Sequence, residues 1–419
     1  MDLLLSPLTF PNGSTVGNRM CKAAMEESLA EKGQLPGERV LRLYRRWARG
    51  GAGLQITGNV MVDRRALTSP GTIVLDGESP LEPFVRWAEA AKSRGTKVWM
   101  QINHPGRQVG AEMPGVSLAP SAVPVSLGRH SHRFAHPTAM TESDILATIE
   151  RFALTAQRAE AAGFDGVQIH AAHGYLLSQF LSPLVNLRED DWGGSLENRA
   201  RLLVEAVKAV RASVSSSTAV SIKINSSDFQ RGGFETSDAV AVLGLLEELR
   251  VDLVELSGGT VESPVSAVLD GAADERTLAR EARFMEMARQ LVDAKLSIPL
   301  MLTGGIARRP VAETVLAQGF SMVGMASALA TSPDLPLRWA TDEDHIADVE
   351  PVAWSDKSLR AAAHLAIVRR HLRRTAEGRP SRPGLSPVLT FLGDELRRRK
   401  ALHRYRNSLA ETADTSNRH

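Results

Sequence analysis

Two histidines and a tyrosine fall within six positions at the head of the stretch "HAAHGYLLSQFLSPLVNLREDDWGGSLENRARLL", residues 170–203. Imidazole and phenol can donate hydrogen bonds to a developing anion, and a phenol can pass on a proton. Two histidines three apart could also bind a metal or be satisfied core residues. A metal site needs further ligands, and no HExxH-like pattern accompanies the pair, so no metal is expected. The choice depends on where the apolar run "GVQI", just before His170, sits in the fold.

Eight short apolar runs alternate along the chain with longer segments of helical period. The runs are "RMCKAAM" (19–25), "GLQITGNV" (53–60), "TKVWMQIN" (96–103), "DGVQIH" (165–170), "AVSIKIN" (219–225), "VDLVELS" (251–257), "IPLMLTG" (298–304) and "FSMVGM" (320–325). Strands buried on both faces lose strict alternation, which "VQI", "VSIKI" and "LVEL" match. The intervening segments, from "GERVLRLYRRWARG" to "AREARFMEMARQLVDA" (279–294) and "RPVAETVLAQG", repeat apolar residues every three or four, and several end at a helix-stopping glycine. Eight such units predict a (β/α)8 TIM barrel over residues 1–340, with a basic, helical extension over 341–419.

Chemistry in such barrels collects at the C-terminal ends of the strands. This chain places Ala24 and Met25, Thr57 and Gly58, Gln101 and Asn103, His170, Lys223 and Asn225, Ser257 to Gly259, Thr303 to Gly305, and Gly324 there. "TGG" after the seventh strand and "GMAS" after the eighth let backbone N–H groups approach an anion, at the usual phosphate site of the architecture. Gln101 can donate to and accept from the pyrimidine edge of a flavin, and Lys223 can stabilise the charge of the reduced ring. The alternative is that Lys223 pairs with a carboxylate and Gln101 fills a polar layer of the barrel.

Of the 419 residues, 43% are hydrophobic and 23% charged, an ordinary globular balance. Cys21 is the only cysteine, so internal disulfides and a four-thiolate iron–sulfur cluster are excluded. The opening "MDLLLSPLTFPNGS" does not read as a signal peptide and no apolar stretch approaches membrane-span length, so a cytoplasmic protein without membrane partners is expected. The net charge of +2 hides an asymmetry: residues 369–406 carry twelve Arg or Lys against Glu377, Asp394 and Glu395, leaving about −7 elsewhere. A solvated helix face explains such a tail better than a nucleic-acid arm, so nucleic acid is not an expected partner.

The 170–203 block, with "SPL" near the start, "NR" before the first strand, "QINHPGRQ" after the third and "APSAVP" in the following loop, resembles the Old Yellow Enzyme family, and most closely its bacterial NADH:flavin oxidoreductase branch. The resemblance covers about residues 1–340. It implies an FMN-binding barrel that takes hydride from NADH or NADPH and reduces activated C=C bonds of unsaturated carbonyl or nitro compounds. It also implies His170 and His173 as donors to the substrate oxygen and Tyr175 as proton donor. Gln101 and Lys223 would hold the flavin ring, with Ala24, Met25 and Gly58 against it, and Gly304, Gly305, Gly324 and Met325 would cradle the phosphate. The alternatives are oxidative demethylation or dehydrogenation at the same site, or a flavin-poor barrel with a binding role. The substrate is a small molecule in either enzyme reading, and a homo-oligomer is compatible with both.

Three departures from the family pattern stand out. Glu26 and Glu27 follow the first strand, where a small, hydroxyl or thiol side chain usually faces the flavin; a carboxylate there opposes electron gain unless turned away, protonated, or used to lower the potential. Ser327 stands where relatives commonly offer a phosphate-binding arginine, with Arg308 or Arg309 as substitutes. "HPTAM" lacks a basic residue often found before the third helix. The loop from His104 to Met140, with Arg107, His130, His132 and His136, is long enough to be a lid or binding element.

Overall fold

The eight apolar runs form the walls of a closed barrel in the computed structural model, which describes residues 2–263, 289–294, 296–342, 344–349, 352–382 and 384–416. Its strands are β1 (Met20–Lys22), β2 (Leu54–Ile56), β3 (Lys97–Asn103), β4 (Gly166–Ala171), β5 (Ala219–Asn225), β6 (Leu253–Ser257), β7 (Leu300–Thr303) and β8 (Met322–Met325). Each pairs in parallel with the next, and β8 returns to β1 through Val323 opposite Met20. The expected TIM barrel is therefore the observed fold.

Side-chain alternation along the strands sorts residues into two cores. Leu54, Ile56, Trp99, Ala219, Leu253, Met301 and Met322 fill the barrel interior with Cys21. An N-terminal hairpin, Leu8–Thr9 against Thr15–Val16, closes the base by adding Phe10, whose ring lies 4.9 Å from that of Trp99. The neighbouring outward positions, among them Val98, Met100, Val167, Ile169, Val220, Ile222 and Val254, bury against the surrounding helices.

Those helices are α1 (Glu38–Ala48), α2 (Glu82–Ala91), α3 (Glu142–Ala161), α4 (Leu196–Ser213), α5 (Thr236–Glu247) and α6 (Arg309–Ala317). The reciprocal Thr141–Asp144 capping box fixes where α3 begins. The helix expected over 279–294 lies largely outside the described residues.

The C-terminal segment is helical, as α7 (Lys357–Ala376) and α8 (Pro387–Ser416). Asp356 caps α7 by accepting from the amides of Ser358 and Leu359. The helix then packs against α1 and the short helix Ser327–Thr331 that follows β8. Leu402 and Tyr405 of α8 bury with Met61, Leu67, Val74, Val109 and Met113 from the loops after β2 and β3. The extension thus lies along the rim formed by the C-terminal strand ends.

Candidate active site

β4 ends by turning sharply, and that turn brings the three rings together. His173 (φ 60) and Gly174 (φ 72) are both left-handed, which costs a non-glycine residue about 1–2 kcal/mol. Two hydrogen bonds offset it: the His173 amide donates to Asn225 Oδ1 at 3.1 Å, and its Nε2 lies 2.8 Å from Ser257 Oγ. The His170 ring centroid is 5.1 Å from that of His173 and 4.9 Å from that of Tyr175, each pair edge-to-face. His170 Nδ1 accepts from the Ala172 amide at 3.2 Å, which places the proton on Nε2 and makes that nitrogen a donor.

Burial sets the protonation of all three groups. It pushes His170 well below the usual histidine range, with His173 and Lys223 adding to the effect, and it pushes His173 down to about 3 with help from Lys223. The Tyr175 phenol is pushed up by burial and by the Glu26 carboxylate, with Arg369 opposing. Both imidazoles are therefore neutral N–H donors at neutral pH, and the phenol retains its proton.

The fully buried His104 is likewise held down to about 4 by desolvation. These histidines bind fewer protons folded than unfolded, so their stabilisation is complete above about pH 6.5 and is lost as pH falls through that value towards the folded pKa. His104 and His170, both nearly fully buried, should each cost about 2 kcal/mol at pH 5. Asp228 and Asp252, whose carboxyls burial pushes up, act in the opposite sense. Urea unfolding at pH 7.5 and pH 5 should show a clear net loss at the lower pH; equal stability would contradict the neutral, buried assignment.

Gln101 and Lys223 both point into the barrel, one layer above its apolar floor, and they are tied together. Lys223 Nζ lies 2.8 Å from Glu255 Oε1, Gln168 Nε2 donates to Glu255 Oε2 at 2.9 Å, and Gln101 Nε2 donates to Gln168 Oε1 at 2.8 Å. The polar-layer reading of these residues thus describes their mutual contacts in the protein alone. Gln168 and Glu255 were missed by sequence reasoning, although each is flanked on both sides by apolar residues of its strand, as Lys223 is. Because Glu255 is fully buried, removing Lys223 alone strands a charge, and such pairs cost about 3–5 kcal/mol when broken.

Around β1 the two glutamates part company. Glu26 turns to Ser69 Oγ (3.1 Å) and Thr68 Oγ1 (3.3 Å), and its other oxygen lies 3.6 Å from Arg369 of α7. Glu27 is buried against Tyr44 and accepts from the Gly58 amide at 3.1 Å, with Lys22 Nζ 3.8 Å away. Lys22 sits under Tyr44 and Trp47 and is lowered to about 8, chiefly by desolvation. The Gly58 amide is spent inside the protein, so only its backbone face can meet a flavin, and a β-carbon there would strike the Glu27 carboxylate and the Met25 carbonyl. Met25 buries its side chain in the outer core, while Ala24 packs beside the interior cluster.

At the seventh and eighth strand ends, Gly304 and Gly305 (φ 59) follow Thr303, which lies opposite Gly324 of β8. A β-carbon at Gly324 would collide with Thr303 Oγ1, a buried hydroxyl without a hydrogen-bond partner among the described residues. The Met325 side chain is buried on the outer face, and its carbonyl accepts from the Ala23 amide at 2.9 Å. Arg309 does not serve this turn: its guanidinium bonds Asp2 (2.6 Å), Glu313 (2.8 Å) and the Trp339 carbonyl. Ser327 instead has His364 of α7 beside it, Nε2 to Oγ at 3.4 Å.

In the long loop, Arg107 bonds Glu262 at 2.6 Å and His130 approaches Asp356 at 3.5 Å, while His132 and His136 are exposed. A glycine turn beside an unpaired buried hydroxyl suits a phosphate, and an amide with a cation one layer up suits a flavin edge.

A closed parallel barrel with these groups at its C-terminal mouth is an architecture suited to a flavin oxidoreductase. The model of the NADH:flavin oxidoreductase / NADH oxidase family matches residues 3–344, and the chain belongs to that family. It is 37% identical over 352 residues to the NADH-dependent flavin oxidoreductase iliE of Hypocrea jecorina (strain QM6a), covering 79% of this chain and 87% of that protein. It is 32% identical to the NADH oxidase of Thermoanaerobacter brockii over 77% of this chain and 48% of the other. Among solved structures, the old yellow enzyme homologue from Zymomonas mobilis aligns with TM-score 0.67 at 25% identity, over 83% of this chain and 94% of that one. The 2-naphthoyl-CoA reductase complex aligns with TM-score 0.74 at 26% identity, over 81% and 52%. The protein is thus a flavin-dependent enzyme that uses FMN with NADH or NADPH.

Proposed function

We propose that this enzyme reduces C=C bonds conjugated to a carbonyl or nitro group. The observation that carries the reading is the convergence of two neutral imidazoles and a protonated phenol, with ring centroids about 5 Å apart, at the barrel mouth. FMN, reduced by the nicotinamide, supplies the hydride. Neutral N–H donors from His170 and His173 hold the substrate oxygen, where negative charge develops, without themselves ionising. Tyr175 then protonates the α-carbon.

Gln101 and Lys223 would hold the flavin ring from within their polar layer, with Ala24, Met25 and Gly58 lining it through backbone. Gly304, Gly305, Gly324 and the Met325 amide would receive the phosphate. Residues 1–340 would form the barrel and 341–419 an extension that belongs to its rim. A similar structure holds 2-naphthoyl-CoA, an acyl group conjugated with its ring, which is compatible with a small conjugated carbonyl substrate here. Among the described residues no helix is long and apolar enough to cross a membrane; a cytoplasmic site of action and a reaction without nucleic acid are part of the proposal.

Nicotinamide oxidation with cyclohexenone as the electron acceptor, and separately formaldehyde release from a methylated amine with a dye as the electron acceptor, test the proposal. Cyclohexenone should be turned over, with the saturated ketone as product. Demethylation of the amine with no enone turnover would establish the oxidative reading instead.

A further inference from the structure

We propose that His364, delivered by the C-terminal helix α7, is a phosphate ligand of FMN in this chain. The inference rests on the proposed cradle of Gly304, Gly305 and Gly324, and it explains how that cradle works without the expected arginine at position 327.

Three observations meet at this end of the barrel. His364 is only 6% exposed, and its Nδ1 is buried without a hydrogen-bond partner among the described residues. Its Nε2 lies 3.4 Å from Ser327 Oγ, the first side chain of the short helix after β8. Across the neighbouring strand end, Thr303 Oγ1 is also buried and unpartnered, against Gly324. Leaving a buried donor unmade costs about 1–3 kcal/mol, so one at the end of β7 and one against the helix that follows the adjoining β8 mark a place that a ligand completes.

The chemistry suits a phosphate. The Ser327 hydroxyl can donate to Nε2, which leaves the proton on Nδ1 as an N–H donor. Burial alone, with no contribution from a charged neighbour, holds the imidazole below its usual range, so a dianion would meet a neutral donor or draw in a proton. Arg309 cannot substitute, being committed to Asp2 and Glu313. The placement of His364 is not incidental to a loose tail, because Val368, Leu372 and Ala376 of the same helix join the main core and Ala363 and Ile367 pack with Val352 and Leu385.

The test compares FMN with riboflavin, which lacks only the phosphate, by titrating the deflavinated full-length chain and following flavin fluorescence. Wild-type protein should prefer FMN. His364→Phe should weaken FMN binding about ten- to hundredfold and leave riboflavin binding unchanged, as expected for one lost hydrogen bond to a charged group. Ser327→Arg in the same background should restore the preference. His364→Leu is measured alongside, so that the result does not hang on the folding of one variant. A full FMN preference in either variant, or equal weakening of both flavins, overturns the role of His364. Absence of any FMN preference in the wild type would instead overturn the cradle on which it rests.

Discussion

Replacing His170 or His173 with alanine should weaken phenol binding and slow enone reduction by pre-reduced enzyme roughly ten- to a thousandfold for each donor lost, the scale of oxyanion-donor deletions. The two variants should not fail in the same way. His170 is nearly fully buried and packs edge-to-face on both other rings, so its removal also opens a cavity and should lower thermal stability. His173 is partly exposed and is held from outside by Ser257 and Asn225, so its loss should act mainly on the oxygen. Phenol titration and stopped-flow oxidation, made on samples of equal flavin content, separate these effects. Normal phenol binding by both variants would remove the histidines from the anion-holding role.

Tyr175→Phe should slow enone reduction about a hundred- to ten-thousandfold, the range for a lost general acid, while leaving phenol binding and reduction by the nicotinamide largely intact. The substitution keeps the ring that packs against His170 and removes only the hydroxyl. Nitroalkenes give the discriminating comparison. The product of hydride addition to a nitroalkene is a nitronate stable enough to leave before it is protonated, so the variant should lose far less rate with a nitroalkene than with cyclohexenone. Equal losses on both substrates would assign Tyr175 to positioning rather than proton delivery.

How far the sequence alone reaches can be judged from particular residues. "GVQI" and "VSIKI" were legible as strands because a strand buried on both faces must be apolar nearly throughout, and that constraint is local. His170, His173, Tyr175, Lys223 and Gln101 were legible as mouth residues because barrel architecture assigns the C-terminal strand ends to chemistry. Arg309 illustrates the opposite case. Its nearness in sequence to "TGG" suggested a phosphate contact, yet its guanidinium reaches Asp2 and the Trp339 carbonyl.

By itself, the sequence determined the barrel, the order of its strands and the list of side chains available at its mouth, because periodicity and strand-end position are carried by neighbouring residues. Only the tertiary structure decided which of those side chains meet. Glu255 takes Lys223 and Gln168, Glu27 takes Tyr44 and the Gly58 amide, and Glu26 turns to Arg369 of a helix more than three hundred residues away. Such pairings follow from how strands close and where a terminal helix docks, since a buried charge must find its partner wherever the fold brings one within reach. No local pattern encodes that distance, which is why His364 and Arg369, in a tail whose composition reads as a solvated basic face, come to stand at the rim of the site.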